Sequence, residues 1–285
     1  MDRFPSPLRY PGGKLKISDY VKLLIQSNDL VGCSYIEPFA GGAAVALDLL
    51  YSGTVDRLIL NDADYNLYAF WFSVLHCNKE FLEKVRKIEV TLEEWYKQSE
   101  ILKADISTYS ILEKGFATFF LNRCNRSGIL KAGPIGGKKQ TSNWKIDSRF
   151  VKERLLARIE KVGSNSDNVE IHNLDAIDFL VKLNNENRFK EKHFVYLDPP
   201  YFQKGKELYL NYYNPEDHKI LAEYLLANMK NEHWMVSYDK CDDIDAIYAG
   251  FRSSTQDLRY CVHNTRGKGT ESVFYSDMLI TPMHS

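Results

Sequence analysis

A chain of 285 residues, 44% hydrophobic and 26% charged with a formal net charge of −1, is long enough for one or two domains and has an ordinary globular composition. No apolar run approaches the ~18 residues of a membrane span, and the opening MDRFPSPLRYPGGK lacks the apolar core of a secretion signal. The five cysteines and seven histidines are dispersed, without a CxxC pair, an HExxH or a zinc spacing, so a reducing, cytoplasmic setting is expected, with no disulfide framework and no metal.

In chain order, strand-like runs occupy residues 34–37, 55–60, 169–172, 193–197, 233–238 and 272–280. Helical stretches fall between most of them. Residues 43–51 are apolar and Ala/Leu-rich, and 214–229 open with an Asn cap and a Pro at the first helical position. Strand alternating with helix predicts an α/β fold, a mostly parallel sheet covered on both faces. Residues 78–163 break the rhythm and read as an insertion into a domain made of 1–77 and 164–285. Within the insertion, 106–121 is expected to be an amphipathic helix. The stretch NRCNRSGILKAGPIGGKKQTSNWK that follows suits an exposed hairpin or loop. Residues 121–158 hold ten Lys or Arg against two acids, a net +8 that leaves −9 for the rest. That asymmetry fits a phosphate-binding patch, or equally a solvated basic face.

Four stretches carry candidate chemistry. In YIEPFAGGAAVALDLL (35–50) a strand ends at Glu37, and Phe39 leads into a tight turn at Gly41 and Gly42 before a helix begins. Glycines there let backbone approach a ligand, although a plain strand-to-helix turn explains them nearly as well. Asp62, 21 residues after Gly41, sits where doubly wound nucleotide sites place a ribose acceptor; the alternative is a helix N-cap, and the preceding glycine turn favours the ribose. Asp175 follows the next strand and is open to two readings, an acceptor for an adenine amino edge or a cap. In VYLDPPY (195–201), Pro199 and Pro200 must end the strand because they donate nothing to a ladder. They hold Asp198 and the Pro199 carbonyl side by side, next to the Tyr201 ring. Two acceptors beside an aromatic face suit a flat ring that carries an NH2 group. Accepting both N–H bonds frees the nitrogen lone pair for attack on an electrophilic methyl.

RYPGGK (9–14), EPFAGG (37–42), an acid after the second strand, a basic insertion containing FFLNR (119–123) and DPPY (198–201) occur in this order. Over nearly its full length the chain resembles the Dam-type, alpha-group (D12 class) DNA adenine-N6 methyltransferases. The resemblance implies a Rossmann-like, S-adenosylmethionine-dependent methyltransferase sheet with an inserted, mostly helical target-recognition domain. It implies S-adenosylmethionine as cofactor and double-stranded DNA as partner. Tyr10, Lys14, Glu37, Phe39, Gly41, Asp62, Asp175 with Ala176, and Asp198 would line the cofactor. Asp198, Pro199 and Tyr201 would carry catalysis on an adenine extruded from the duplex. Arg123, Arg126, Lys138, Lys139 and Lys145 are the candidates for DNA contacts. Relatives that read GATC usually carry an aromatic residue and Asn-Gly after the NR pair, where this chain has Ser127 and Gly128; Tyr10 stands where Trp is common. A methyltransferase acting on RNA, or a non-catalytic DNA-binding relative, would share much of this pattern, though a binding module needs neither Asp198 nor Tyr201.

Overall fold

The computed structural model describes residues 5–9, 15–202, 213–262 and 265–282. Tyr10 and Lys14 lie outside the described residues. A seven-stranded sheet runs through the molecule in the order β3-β2-β1-β4-β5-β7-β6. Its strands are β1 (Cys33–Glu37), β2 (Val55–Asn61), β3 (Val169–His172), β4 (His193–Leu197), β5 (Trp234–Asp239), β6 (Arg252–Val262) and β7 (Thr265–Tyr275). The first five are mutually parallel, and β7 returns antiparallel between β5 and β6. This is a mixed α/β sheet of the kind that the resemblance implies. Two of the predicted strands match to the residue, 169–172 and 193–197. The run at 272–280 is the end of β7 plus residues beyond the strand, and β6 gave no strand signal because RSSTQDLRYCV is largely polar.

Ten α-helices occur among the described residues: α1 (Leu15–Ser27), α2 (Ala44–Tyr51), α3 (Tyr65–His76), α4 (Asn78–Lys87), α5 (Leu92–Lys103), α6 (Ile111–Cys124), α7 (Lys152–Gly163), α8 (Ala176–Asn185), α9 (Pro215–Asn228) and α10 (Asp242–Ile247). They divide between the two faces of the sheet, and the strand alternation shows how. Tyr35, Tyr196 and Met235 point into one core, with residues of α1 to α7. Ile36, Val195, Leu197 and Val236 point into the other, with α8, α9 and α10. Buried on both faces, β4 reads as the unbroken apolar run HFVYL. Helix α9 starts where its sequence says, with Asn214 accepting from the backbone of Glu216 and Asp217, and Pro215 in the first turn.

The structure differs from expectation at 106–121. The helix there begins at Ile111, set by a capping box of Ser110 and Glu113, and it is not amphipathic. It is buried nearly all round, from Phe116 and Phe119 to Thr118 and Asn122. Phe119 stacks on Phe70 of α3 at 6.0 Å between centroids. Even Lys114 is buried, 1% exposed. Its ammonium donates to the carbonyls of Leu102 and Ala104 at the end of α5, where the helix dipole favours a cation. Polar side chains that reach backbone partners gave this helix a misleading polar stripe. Residues 125–151 form a one-turn 3-10 helix at Arg126–Gly128, then turns, with one antiparallel bridge, Asn125 to Pro134.

Candidate active site

Four parallel strands, β3, β2, β1 and β4, lie side by side, so their carboxyl ends share one edge of the sheet. Each strand hands an acid, or an acid-bearing loop, to that edge: Asp175 after β3, Asp62 after β2, Glu37 at the end of β1 and Asp198 after β4. The loops are stapled by Asn61, which is fully buried. Its amide donates to Pro38 O and Leu174 O at 3.0 Å each, and its carbonyl accepts from Leu174 N at 3.0 Å. One side chain thus sets the turn after β1 against the loop after β3. Nothing in the sequence singles it out, since an Asn at a strand end carries no motif of its own.

The glycine turn is built as its sequence suggests and then braced. Gly41 has φ +46° and Ala43 φ +45°, so two left-handed residues lead into α2. Gly41 N donates to Asp62 Oδ2 at 2.8 Å, and Trp71 Nε1 donates to Gly41 O at 2.9 Å. Asp62 also accepts from Asp64 N at 2.9 Å. The cap of α3 is Asp64, which accepts from Asn66 N. The cap alternative for Asp62 therefore falls to its neighbour two residues on. Asp175 does cap its helix, accepting from Ile177 N at 2.8 Å, while Ala176 beside it is buried.

Electrostatics mark the edge as costly. Glu37 is buried, and its Oε2 has no hydrogen-bond partner. Burial above all, then the nearby Asp198 and Asp62, hold its carboxyl well above the usual range. Burial and then Asp64 push Asp62 up to about 7, against bonds from Asp64 N and Gly41 N that lower it. Burial and then Asp198 raise the buried hydroxyl of Tyr196, and burial, Glu37 and then Asp198 raise that of Tyr35. The charge of Asp198 is thus felt at Glu37, at the end of the neighbouring strand. Pro199 is buried and Tyr201 half-buried beside it.

An aromatic wall joins the two motifs. Phe39, from the glycine turn, packs edge-on to Tyr213 at 5.4 Å. Tyr213 packs on His218 of α9 at 5.4 Å, and His218 packs on Phe202, next to Tyr201, at 5.2 Å. His218 is fully buried, and its Nδ1 bonds the Tyr238 hydroxyl at 2.9 Å. Neither His218 nor Tyr238 belongs to a motif that would mark it in the sequence.

The basic candidates divide. Arg126, Lys138, Lys139 and Lys145 are exposed on the turns after α6. Arg123 is half-buried: its Nε donates to Arg149 O at 2.9 Å and its Nη1 to Pro7 O at 3.4 Å. Burial, Arg9 and Arg158 pull its pKa down, but a guanidinium keeps its charge in a protein. Arg9, the residue before Tyr10, exchanges backbone hydrogen bonds with the Asn122 side chain, at 2.7 Å and 2.6 Å. Arg9 is thereby tied to the end of α6. No group of three or more His, Cys, Asp or Glu is placed to hold a metal ion, and no helix is long and apolar enough to cross a membrane, among the described residues.

No curated protein sequence matches the chain significantly. The profile of the D12 class N6 adenine-specific DNA methyltransferases matches residues 10–260, which takes in the glycine turn, the acids of the sheet edge, the basic loop and DPPY. With that span and this sheet edge together, the chain belongs to the D12 class N6 adenine-specific DNA methyltransferase family and is an adenine-specific DNA methyltransferase.

Proposed function

We propose that the enzyme moves a methyl group from S-adenosylmethionine to the exocyclic N6 of an adenine that has left its duplex. The observation that carries this reading is the crowding of Glu37, Asp62 and Asp198 at one sheet edge, with a buried Glu37 oxygen left unpartnered. A protein does not bury an orphan carboxylate among like charges for stability. A ligand with a positive charge and several hydroxyl and amino donors would relieve it, and S-adenosylmethionine has that chemistry. When bound, it supplies a methyl group made electrophilic by a sulfonium. Glu37 and the Phe39–Gly41 turn would hold its amino-acid part, Asp62 its ribose, and Asp175 with Ala176 its adenine. Tyr10 and Lys14 are assigned to the same cofactor.

Asp198 and the Pro199 carbonyl accept the two amino hydrogens of the target base, and Tyr201 stacks on its ring. Accepting both hydrogens localises the nitrogen lone pair for in-line attack. After transfer the nitrogen carries one proton too many. It is then strongly acidic and sheds that proton to Asp198 or to water. Residues 78–163 serve as the recognition segment, with Arg126, Lys138, Lys139 and Lys145 on phosphates or bases. Arg123 takes part chiefly by fastening the N-terminal segment. GATC or a related short site is the proposed target, and the compartment is the cytoplasm.

Transfer of labelled methyl groups to plasmid DNA tests this reading. Asp198→Ala should bind duplex DNA like the wild type and lose at least ~100-fold in transfer. Retained turnover in that variant would remove Asp198 from the reaction.

A further inference from the structure

We propose that Trp144 is a base-stacking contact to DNA, presented by the turns after α6. The inference deepens the DNA-methyltransferase reading and rests on it. The chain has four tryptophans. Trp71, Trp95 and Trp234 are 0%, 8% and 1% exposed, whereas Trp144 is 66% exposed. A lone exposed apolar residue is ordinary in itself. This one is held out by a built loop.

The loop closes on Gln140, a non-glycine residue at φ +49°. Its side-chain amide donates to Ile135 O and Gly137 O at 2.7 Å each, and its side-chain oxygen accepts from Ile146 N at 2.9 Å. Gly136, at φ +83°, lies so close that an added Cβ would stand 2.7 Å from Trp144 O. Ile146 and Phe150 are buried and anchor the chain on the far side. Strained backbone and three side-chain hydrogen bonds are thus used to fix a segment whose largest apolar side chain faces water.

The surroundings suit nucleic acid. The Arg149 guanidinium lies 6.0 Å from the Trp144 ring centroid, and Lys138 lies 5.9 Å from the ring of Tyr96, itself 46% exposed. Lys139 and Lys145 are exposed in the same loop. Cations interleaved with open aromatic faces bind phosphates and bases together: the charges hold the backbone, and the ring takes an unstacked base. An enzyme that extrudes a base disrupts stacking at that step, which leaves π-faces for such a ring.

Because the other three tryptophans are buried, Trp144 is its own probe. Acrylamide, a neutral quencher, should reach one class of tryptophan emission in the free protein, and Trp144→Phe should abolish that class. Saturating duplex DNA should shield it, while heparin, a polyanion without bases, should bind and leave it open. Trp144→Ala should melt at the wild-type temperature and bind duplex about tenfold more weakly. Full acrylamide access in the DNA complex, equal shielding by heparin, or unchanged affinity of Trp144→Ala would each overturn the proposal. Methyl transfer by the wild type is measured in parallel. Transfer with Trp144 still open sinks this inference alone, and no transfer to DNA sinks the underlying reading.

Discussion

The sheet edge and the basic loop are both candidate binding surfaces, yet they are held in opposite ways. The edge is fixed many times over. Parallel strands bring Glu37, Asp62 and Asp198 together, Asn61 locks the turns, and Trp71 and Asp62 brace Gly41. The loop at 125–151 has one bridge and a few side-chain staples, Asn125 and Gln140 foremost. Such a contrast suits the two tasks. Positioning a methyl group for in-line attack needs a site built on regular elements, whereas contacts to DNA can be carried by surface turns fixed by a few side chains. It also separates the charges: acids gather at the edge, and the net +8 window spans the loop.

Asn61 is where the rigid half breaks most severely. Asn61→Leu leaves two buried carbonyls without their donor and should cost about 3 kcal/mol of stability. Any folded fraction should bind S-adenosylmethionine poorly. A chemical-denaturation midpoint close to that of the wild type would contradict the stapling role. Glu37→Gln asks a subtler question, because it removes a like charge and a buried ionisable group. It should raise the melting temperature by ~2 °C or more at pH ~8, and weaken cofactor binding at least ~10-fold. Loss of both stability and binding would mean that Glu37 serves the fold.

The basic half should respond to salt rather than to heat. Lys138→Glu with Lys139→Glu should weaken duplex binding and reduce the slope of log K against log salt by about 1 for each phosphate no longer neutralised. Arg123→Gln should do the reverse, lowering the melting temperature because two backbone carbonyls lose their guanidinium donor, while changing the salt slope little. Equal effects of the two changes would erase the distinction drawn between these cations. The last expected effect is a titration, confined to acid pH. Burial pushes His218 down to about 4, so between pH ~6.5 and about 4 the unfolded chain takes a proton that the folded chain refuses. Stability should fall as pH drops through that window, by roughly 3 kcal/mol at most, and His218→Asn should flatten the fall. Glu37 and Asp62 act in the opposite sense. Their raised values favour the protonated fold, so their share of stability is lost as pH rises from ~4 to about 7 and beyond.

How legible each half was follows from its physics. The fully buried β4 leaves an unbroken apolar run and the edge strand β3 an alternating VEIH, so both could be read to the residue, and DPPY and the glycine turn could be assigned to strand ends from motif alone. Period and composition see side chains one at a time, however, and miss those that act by reaching backbone. Asn61 and Lys114 look like ordinary polar residues. Arg123 looks like a free cation until Pro7 and Arg149 claim it. Asp62 and Asp64 lie two residues apart, and only the hydrogen bonds tell the turn brace from the helix cap. Strand β6 escaped notice because its pattern is too polar to register as a strand.

The central claim is that the buried carboxylates of the sheet edge await a cationic ligand. Isothermal titration of S-adenosylmethionine at pH ~6.5, in buffers of different ionisation enthalpy, tests it directly. If Glu37 and Asp62 ionise against the ligand, binding should release up to about one proton, and Glu37→Gln should release clearly less. Heats that do not depend on the buffer, or a release that Glu37→Gln leaves unchanged, would contradict the account.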